Sequence, residues 1–341
     1  MLGGQPRPGK KEAAMNQQSQ NPNIERKSHL VILFIVIALA AASTALKELR
    51  EAHAFLADVA HTISSWSDAV VPTASARTRT IVVTKTAEAS LVVASQNRSD
   101  EFRWNGPVAP GQTVAIKGVN GSITAEASTG NEVEVIAVKT SRKSDVNSVQ
   151  MKVVQHSGGV TICALYPSPS GDFQDCASDS SEVIRSTSNH RIENNDVQVN
   201  FTVKIPARVG FIGKTINGEI SATSLSGNVI TRTINGGIRI STTGYAEATT
   251  INGEISARLG DAAWPASLNF KTINGAINLD LPQSLSTDVE AETMNGQINS
   301  DFPINLTTLK DRRHLKGRIG TGGRELVLKT LNGSINLRLA S

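Results

Sequence analysis

Cys163 and Cys176 are the only cysteines in the 341 residues, with Pro167, Pro169 and Gly171 between them. No Cys-x-x-Cys is present, so redox and zinc chemistry lack their usual spacing. In an oxidising compartment such a pair reads as a structural disulfide. Closing a loop of about 14 residues contributes roughly 3 kcal/mol on a chain-entropy account. Asp172, Asp175, Asp179 and Glu182 cluster beside that loop. Calcium needs six to eight oxygens, and the EF-hand spacing is absent, so a solvated loop is expected. Lys310, Arg312, Arg313, His314, Lys316 and Arg318 form a basic run. It could meet anionic lipid or wall polymer, but reads first as a solvated insertion. Aromatic residues barely interleave with it, which argues against single-stranded nucleic acid. Glu219 and Glu254 recur at equivalent repeat positions, where a carboxylate pair could act on a glycosidic bond. The corresponding positions in other copies are Gly237 and Ala276. The six histidines are scattered and no Gly-x-Ser-x-Gly occurs. Gly320-Thr321-Gly322-Gly323 precedes a strand rather than a helix, so it lacks a phosphate-binding helix N-terminus. No catalytic, cofactor or metal set is expected. The chain reads as non-enzymatic, with a polysaccharide-active enzyme as the remaining alternative.

The elements around these residues are repetitive. Thr215-Ile216-Asn217-Gly218-Glu219-Ile220 recurs as Thr233-Ile234-Asn235-Gly236-Gly237-Ile238 and as Thr250-Ile251-Asn252-Gly253-Glu254-Ile255. Further copies are Thr272-Ile273-Asn274-Gly275-Ala276-Ile277, Thr293-Met294-Asn295-Gly296-Gln297-Ile298 and Thr330-Leu331-Asn332-Gly333-Ser334-Ile335. Val119-Asn120-Gly121-Ser122-Ile123 is an earlier, isolated copy. From Asn217 to Asn295 the steps are 18, 17, 22 and 21; the step to Asn332 is 37, about two periods. A period near 20 signals a repeat architecture. Aromatics are only 4% of the chain, so the core must be built from Ile, Val, Leu and Ala.

Asn-Gly is a strong hairpin signal. A two-residue Asn217-Gly218 loop would pair Ile216 with Glu219 and Thr215 with Ile220, mixing faces in every copy. A nearly continuous, bent strand avoids this. Ile216, Gly218, Ile220 and Ala222 then point inward, while Thr, Asn and a variable residue point out. Gly is expected inward because a side chain would fill a narrow corner, so Val there should overpack and Ala should be milder. Equivalent Ile residues stack about 4.8 Å apart, each burial contributing about 1.5–3 kcal/mol. Outward Asn side chains form an amide ladder. One coil cannot bury its own face, so stability needs the stack. The fold expected is an all-β, single-domain parallel β-solenoid over residues 81–341, with regular repeats over 211–341. Each coil should carry two or three short strands.

Residues 1–28 are polar and expected to be a disordered cytoplasmic tail. Residues 30–46 are uncharged, about 25 Å of helix. A transmembrane signal anchor over 29–46 is the preferred reading; cleavage near Ala42–Ala45 and secretion is the alternative. Five Lys or Arg against Glu12 and Glu25 precede the span, which places the tail in the cytoplasm and the rest outside. That leader also carries most of the formal +4 charge. The remainder is near neutral, which excludes a nucleic-acid footprint. Residues 47–67 show an apolar stripe at 3–4 spacing, an amphipathic juxtamembrane helix that could also self-associate. Residues 68–80 read as a linker.

The reiterated Thr-Ile-Asn-Gly-x-Ile, the Val203-Lys204-Ile205-Pro206 segment and the closing Gly320-Thr321-Gly322-Gly323 with Leu331-Asn332-Gly333-Ser334-Ile335 resemble a bacterial family. It is the putative-adhesin family of β-strand-repeat domains of unknown function, of the Toastrack type. The resemblance covers about residues 81–341. It implies an envelope-exposed β-solenoid, right-handed by analogy and often membrane-tethered. The implied roles are adhesion or cell-envelope scaffolding or, alternatively, envelope-stress sensing through another membrane protein or a cell-wall polymer. No catalytic residues come with it. The insert of about residues 166–195, which holds Cys176, departs from the family pattern.

Overall fold

Strands here are short and turns small because no single coil has enough apolar surface to stand alone. The computed structural model describes residues 98–173, 176, 192, 194–260, 264, 266–311 and 313–340. These fall in one compact unit, Ala57–Ser341. The expected tail, span, amphipathic helix and linker lie outside the described residues, and no helix among those described is long and apolar enough to cross a membrane.

In chain order the strands are β1 (Arg98–Pro107), β2 (Thr113–Lys117), β3 (Ile123–Ala127), β4 (Glu132–Ser141), β5 (Gln150–His156), β6 (Gly159–Leu165) and β7 (Gln198–Ile205). The regular coils follow: β8 (Gly210–Lys214), β9 (Ile220–Leu225), β10 (Val229–Arg232), β11 (Ile238–Thr242), β12 (Ala246–Thr249), β13 (Ile255–Leu259), β14 (Leu268–Asn274) and β15 (Ile277–Leu281). The last are β16 (Thr287–Asn295), β17 (Ile298–Ser300), β18 (Ile304–Asp311), β19 (His314–Ile319), β20 (Glu325–Asn332) and β21 (Ile335–Leu339). One 3-10 turn, Val146–Ser148, is the only helical element among the described residues.

The strands form two sheets, ordered β1-β4-β7-β3-β9-β11-β13-β15-β21-β17 and β18-β19-β16-β20-β14-β12-β10-β8-β2-β6-β5. Each regular coil contributes one strand to each sheet. The chain crosses between sheets at the Asn-Gly of every repeat copy, and the copies on either side pair in parallel. The fold is therefore an all-β solenoid with two strands per coil. Ile123, Ile220, Ile238, Ile255, Ile277, Ile335 and Ile298 stand in register along one sheet. The first six are buried, and Ile298, on the last strand, is half-buried. Phe211, Val229 and Ala246 form a facing ladder in the other sheet.

Three expectations are corrected. The repeat Thr points inward: Thr215, Thr233, Thr250, Thr272, Thr293 and Thr330 are all buried. The Ile after it is half-buried at Ile234, Ile251 and Ile273, though Ile216 is buried. The corner shifts the side-chain alternation by one, which a continuous strand cannot do. The early copy is not isolated either, since β3 pairs directly with β9. Nor is Asn332 two periods beyond Asn295. After β16 and β17 the chain runs out into the β18–β19 hairpin and returns, so β20 and β21 enter between β14–β15 and β16–β17. The same out-and-back path occurs at the other end, where β6 and β7 lie beyond β2 and β3. Antiparallel strands then finish three of the four sheet edges, at β1, β5 and β18, while β17 ends the first sheet in parallel with β21.

This path makes the last segment internal. Ending the chain at residue 320 removes β20 and β21 and strips β16 and β17 of their parallel neighbours. Loss of a terminal repeat from a simple solenoid removes one interface. Here the expected result is loss of ordered structure back through β14 and β15, read by hydrogen exchange. Unchanged protection of β14–β17 would contradict the insertion.

Candidate functional site

The most repeated chemistry in the sequence meets along one corner. Nδ2 of Asn217, Asn235, Asn252, Asn274, Asn332 and Asn295 donates to Oδ1 of Asn120, Asn217, Asn235, Asn252, Asn274 and Asn332 respectively, at 2.7–2.8 Å. Within the same corner each buried Thr hydroxyl reaches back one coil to a glycine carbonyl. Thr215 donates to Gly121, Thr233 to Gly218, Thr250 to Gly236, Thr272 to Gly253, Thr330 to Gly275 and Thr293 to Gly333, at 2.8–3.2 Å. The backbone completes the set: Gly218 N–H donates to Asn235 O at 2.9 Å, and Asn235 N–H to Ile216 O at 2.8 Å. A buried hydroxyl and a carbonyl at the strand break are thus both satisfied.

The glycines answer to a different constraint from the one expected. Gly218, Gly236, Gly253, Gly275, Gly296 and Gly333 lack the left-handed φ that a hairpin turn would demand, and the repeat Asn residues lack it too. A Cβ on Gly253 would overlap Gly236 O and lie 2.5 Å from its carbonyl carbon. Every later copy meets its neighbour's glycine in the same way. The side-chain direction runs along the stack, not into the core, and coils about 4.8 Å apart leave no room there. A single methyl already collides, so Ala is not the mild substitution expected from a crowded interior.

The other candidates are placed as follows. Cys163 and Cys176 are joined, Cα to Cα 5.9 Å. With Leu165 and half-buried Val154 they form a small apolar cluster apart from the main core. Tyr166 Oη donates to Val197 O at 2.9 Å, closing the base of the insert, and burial raises the phenol's pKa far above its ordinary value. Asp172 accepts from Ser170 Oγ at 2.8 Å; Asp175, Asp179 and Glu182 lie outside the described residues. Among the described residues no group of three or more His, Cys, Asp or Glu side chains could hold a metal. Members of the basic run are engaged with β16: Arg318 with Asp288 at 3.1 Å, Lys316 with Glu290 at 3.2 Å, and Arg313, whose Nη1 donates to Met294 O at 3.4 Å. The Lys316 and Lys329 ammonium groups beside Glu290 outweigh its burial and hold its carboxyl below the usual range. These cross-strand pairs fix the β16–β19 register. Glu219 and Glu254 stand two coils apart with Gly237 between, and Glu254 accepts from Asn278 at 2.6 Å.

Sequence reasoning missed Asp196. Its carboxylate accepts backbone N–H groups of Arg142, Lys143 and Ser144 at 3.2, 3.1 and 2.8 Å. The Ser144 bonds, first among these, hold its pKa at about 2 against an ordinary 3.8. A lone Asp at the end of an insert carries no sequence signal for partners more than fifty positions away.

Three outcomes follow from this geometry. Gly253→Ala should destabilise by about 1–3 kcal/mol or more and Gly253→Val little further. Gly237→Ala, whose Cβ would sit 3.5 Å from Glu254 O, should be near neutral. Thermal midpoints decide. Cys176→Ser should cost about 3 kcal/mol, matched by adding reductant to the native protein and absent when reductant is added to the variant. The Asp196 pKa is depressed on folding, so its contribution is complete above pH 4 and lost as pH falls from about 4 to 2. The stability gap between native protein and Asp196→Asn should be flat above pH 5 and close over that window.

No curated protein matches the chain. Among solved structures, a putative cell adhesion protein from Clostridium sporogenes ATCC 15579 is similar at 9% identity and TM-score 0.37, covering 71% of this chain and 100% of that one. A putative adhesin from Bacteroides fragilis NCTC 9343 is similar at 10% identity and TM-score 0.27, covering 70% and 97%. A third, from Parabacteroides distasonis ATCC 8503, is similar at 11% identity and TM-score 0.21, covering 71% and 98%. The family described as Toastrack DUF4097 matches residues 73–338, which takes in the corner ladder and the described solenoid as far as Arg338 in β21. The chain belongs to the Toastrack DUF4097 family.

Proposed function

We propose that the chain is a single-pass membrane protein whose β-solenoid stands outside the cytoplasm as a non-catalytic adhesion or scaffolding module. One observation carries the reading: the polar residues that the sequence repeats most are engaged with one another from coil to coil. Their chemistry goes into holding the stack. What varies between coils is the residue after each glycine, namely Ser122, Glu219, Gly237, Glu254, Ala276, Ser334 and Gln297. A rigid frame with a variable polar edge suits recognition of an envelope protein or a cell-wall polysaccharide. The Cys163–Cys176 disulfide suits an oxidising compartment. The uncharged residues 30–46 and their basic leader suit an anchor with the domain outside.

Protease added to intact spheroplasts should remove the β domain and leave a small membrane-bound fragment. Protection of the whole domain would overturn the topology, and release of a soluble domain beginning near residue 46 would point to a cleaved signal peptide instead. Purified protein should bind wall polymer or envelope extract without shortening any glycan. Glycan cleavage abolished by Glu254→Gln would contradict the non-catalytic reading.

A further inference from the structure

At the β16–β17 end the two sheets stop at different heights. β17 is the last strand of its sheet, while the sheet of β16 continues through β19 to β18. No described strand faces those two, so they form a ledge beside a step. The register carries the inward face along the ledge. Leu315, Gly317 and Ile319 pair with buried Ala291, Val289 and Thr287, and Leu306 and Ile304 pair in turn with Gly317 and Ile319. This inner face is apolar; Lys316 and Arg318 alternate with it and pair with β16 on the outer face. Ile319 is buried, and Ile304 and Leu315 are half-buried. Leu306, at 49%, is the most exposed large apolar side chain among the described residues. Beside the ledge, β17 is an open edge. In earlier coils the glycine and the Ile two positions on donate to the next coil, as Gly333 does to Asn295 O and Ile335 to Gln297 O. Gly296 and Ile298 have no next coil, and Ile298 alone among its register mates is only half-buried.

We propose that this end is a dimer interface, in which a two-fold axis parallel to the strands brings a second copy into the step. Such an axis reverses the stack and exchanges the two sides of the solenoid. The partner's β18 then lies against β17, with the partner's β19 and β16 beyond it, and the partner's β17 lies against β18. Ledge and step are both two strands deep, so each sheet runs on without a gap. The chain doubles back at every corner, so β17 and the partner's β18 meet antiparallel. Both edges gain the partners they lack. The same operation lays the two ledges face to face. Leu306 comes over the partner's β19 at the partner's Gly317, where no side chain competes for the space. A single added strand from another protein would cover β17 and leave half the ledge bare. Only an occupant with its own two-strand overhang fills both, and a second copy has one. At about 3.3 Å per residue and 4.8 Å between strands, the ledge measures about 26 by 10 Å. Two such faces with their edges bury on the order of 1,000–1,500 Å², within reach of a specific interface. The contact is the same patch on both copies and closes at two.

The mass of the full-length chain in detergent micelles, followed by sedimentation over a dilution series, tests this. The native protein should be a dimer. So should Phe173→Lys, which alters an exposed apolar residue in the insert at the other end. Leu306→Lys should associate at least about a hundredfold more weakly, because the two-fold places a charge in the apolar face twice. It should keep native hydrogen exchange in β14 and β15. In the native protein, amides of β17 and β18 should exchange faster as dilution separates the copies. A native chain that stays monomeric would overturn the proposal, whatever else covers the ledge. A dimer untouched by Leu306→Lys would also overturn it and place the contact elsewhere, residues 47–67 included. Loss of the dimer in both lysine variants would do the same. Exchange in β17 and β18 that ignores dilution would overturn it even if Leu306→Lys failed to fold.

Discussion

Everything regular in this protein depends on how closely one backbone corner sits against the next. Parallel coils stack about 4.8 Å apart. At the Asn-Gly corner the peptide turns so that the glycine's missing side chain would point along the stack. Only a residue without Cβ allows the contact. Once glycine is in place, its carbonyl is free to take the Thr hydroxyl from the next coil, and the preceding Asn lines up with its counterpart. Steric permission and hydrogen-bond satisfaction come from the same three residues, Thr, Asn and Gly. The Ile two positions after the glycine then enters the core in register with every other copy.

Uniform stacking creates a second requirement, because identical coils offer open strand edges at both ends. The chain meets it by departing from sequence order. At each end it places one coil further out, turns through antiparallel strands, and returns to fill the gap. At the β18–β19 end the return is held by charge pairs between strands, with Glu290 between Lys316 and Lys329. At the β5–β6 end the disulfide ties Cys176 to β6, and the Tyr166 hydroxyl ties the residue after β6 to Val197 just before β7. Cys163, Cys176, Lys316 and Arg318 belong to these two finishing structures.

Fold class was legible because Thr-Ile-Asn-Gly-x-Ile repeats at a near-constant period, and the mixed pairing of Ile216 with Glu219 already spoke against hairpins. The inward Thr was not legible. A polar residue reads as outward unless its partner is known, and the partner of Thr250 is a carbonyl on another coil. The reason for each glycine was hidden for the same cause, since Gly253 is constrained by Gly236 and not by its own φ. The internal position of β20 and β21 could not be read from a spacing of 37, because a skipped coil and an inserted one leave the same interval between Asn295 and Asn332. The basic run looked free because Asp288 and Glu290 lie some thirty positions earlier in the chain.

The corner ladder is tested most directly by side-chain amide exchange in Asn-labelled protein, followed by NMR. Asn217, Asn235, Asn252, Asn274, Asn332 and Asn295 each donate one Nδ2 proton to a neighbouring Asn. Asn120 accepts at the end of that series. The account predicts one slowly exchanging carboxamide proton in each of the six donors, with a fast partner proton, and two fast protons in Asn120. Equal, fast exchange of both protons in all seven residues would contradict it.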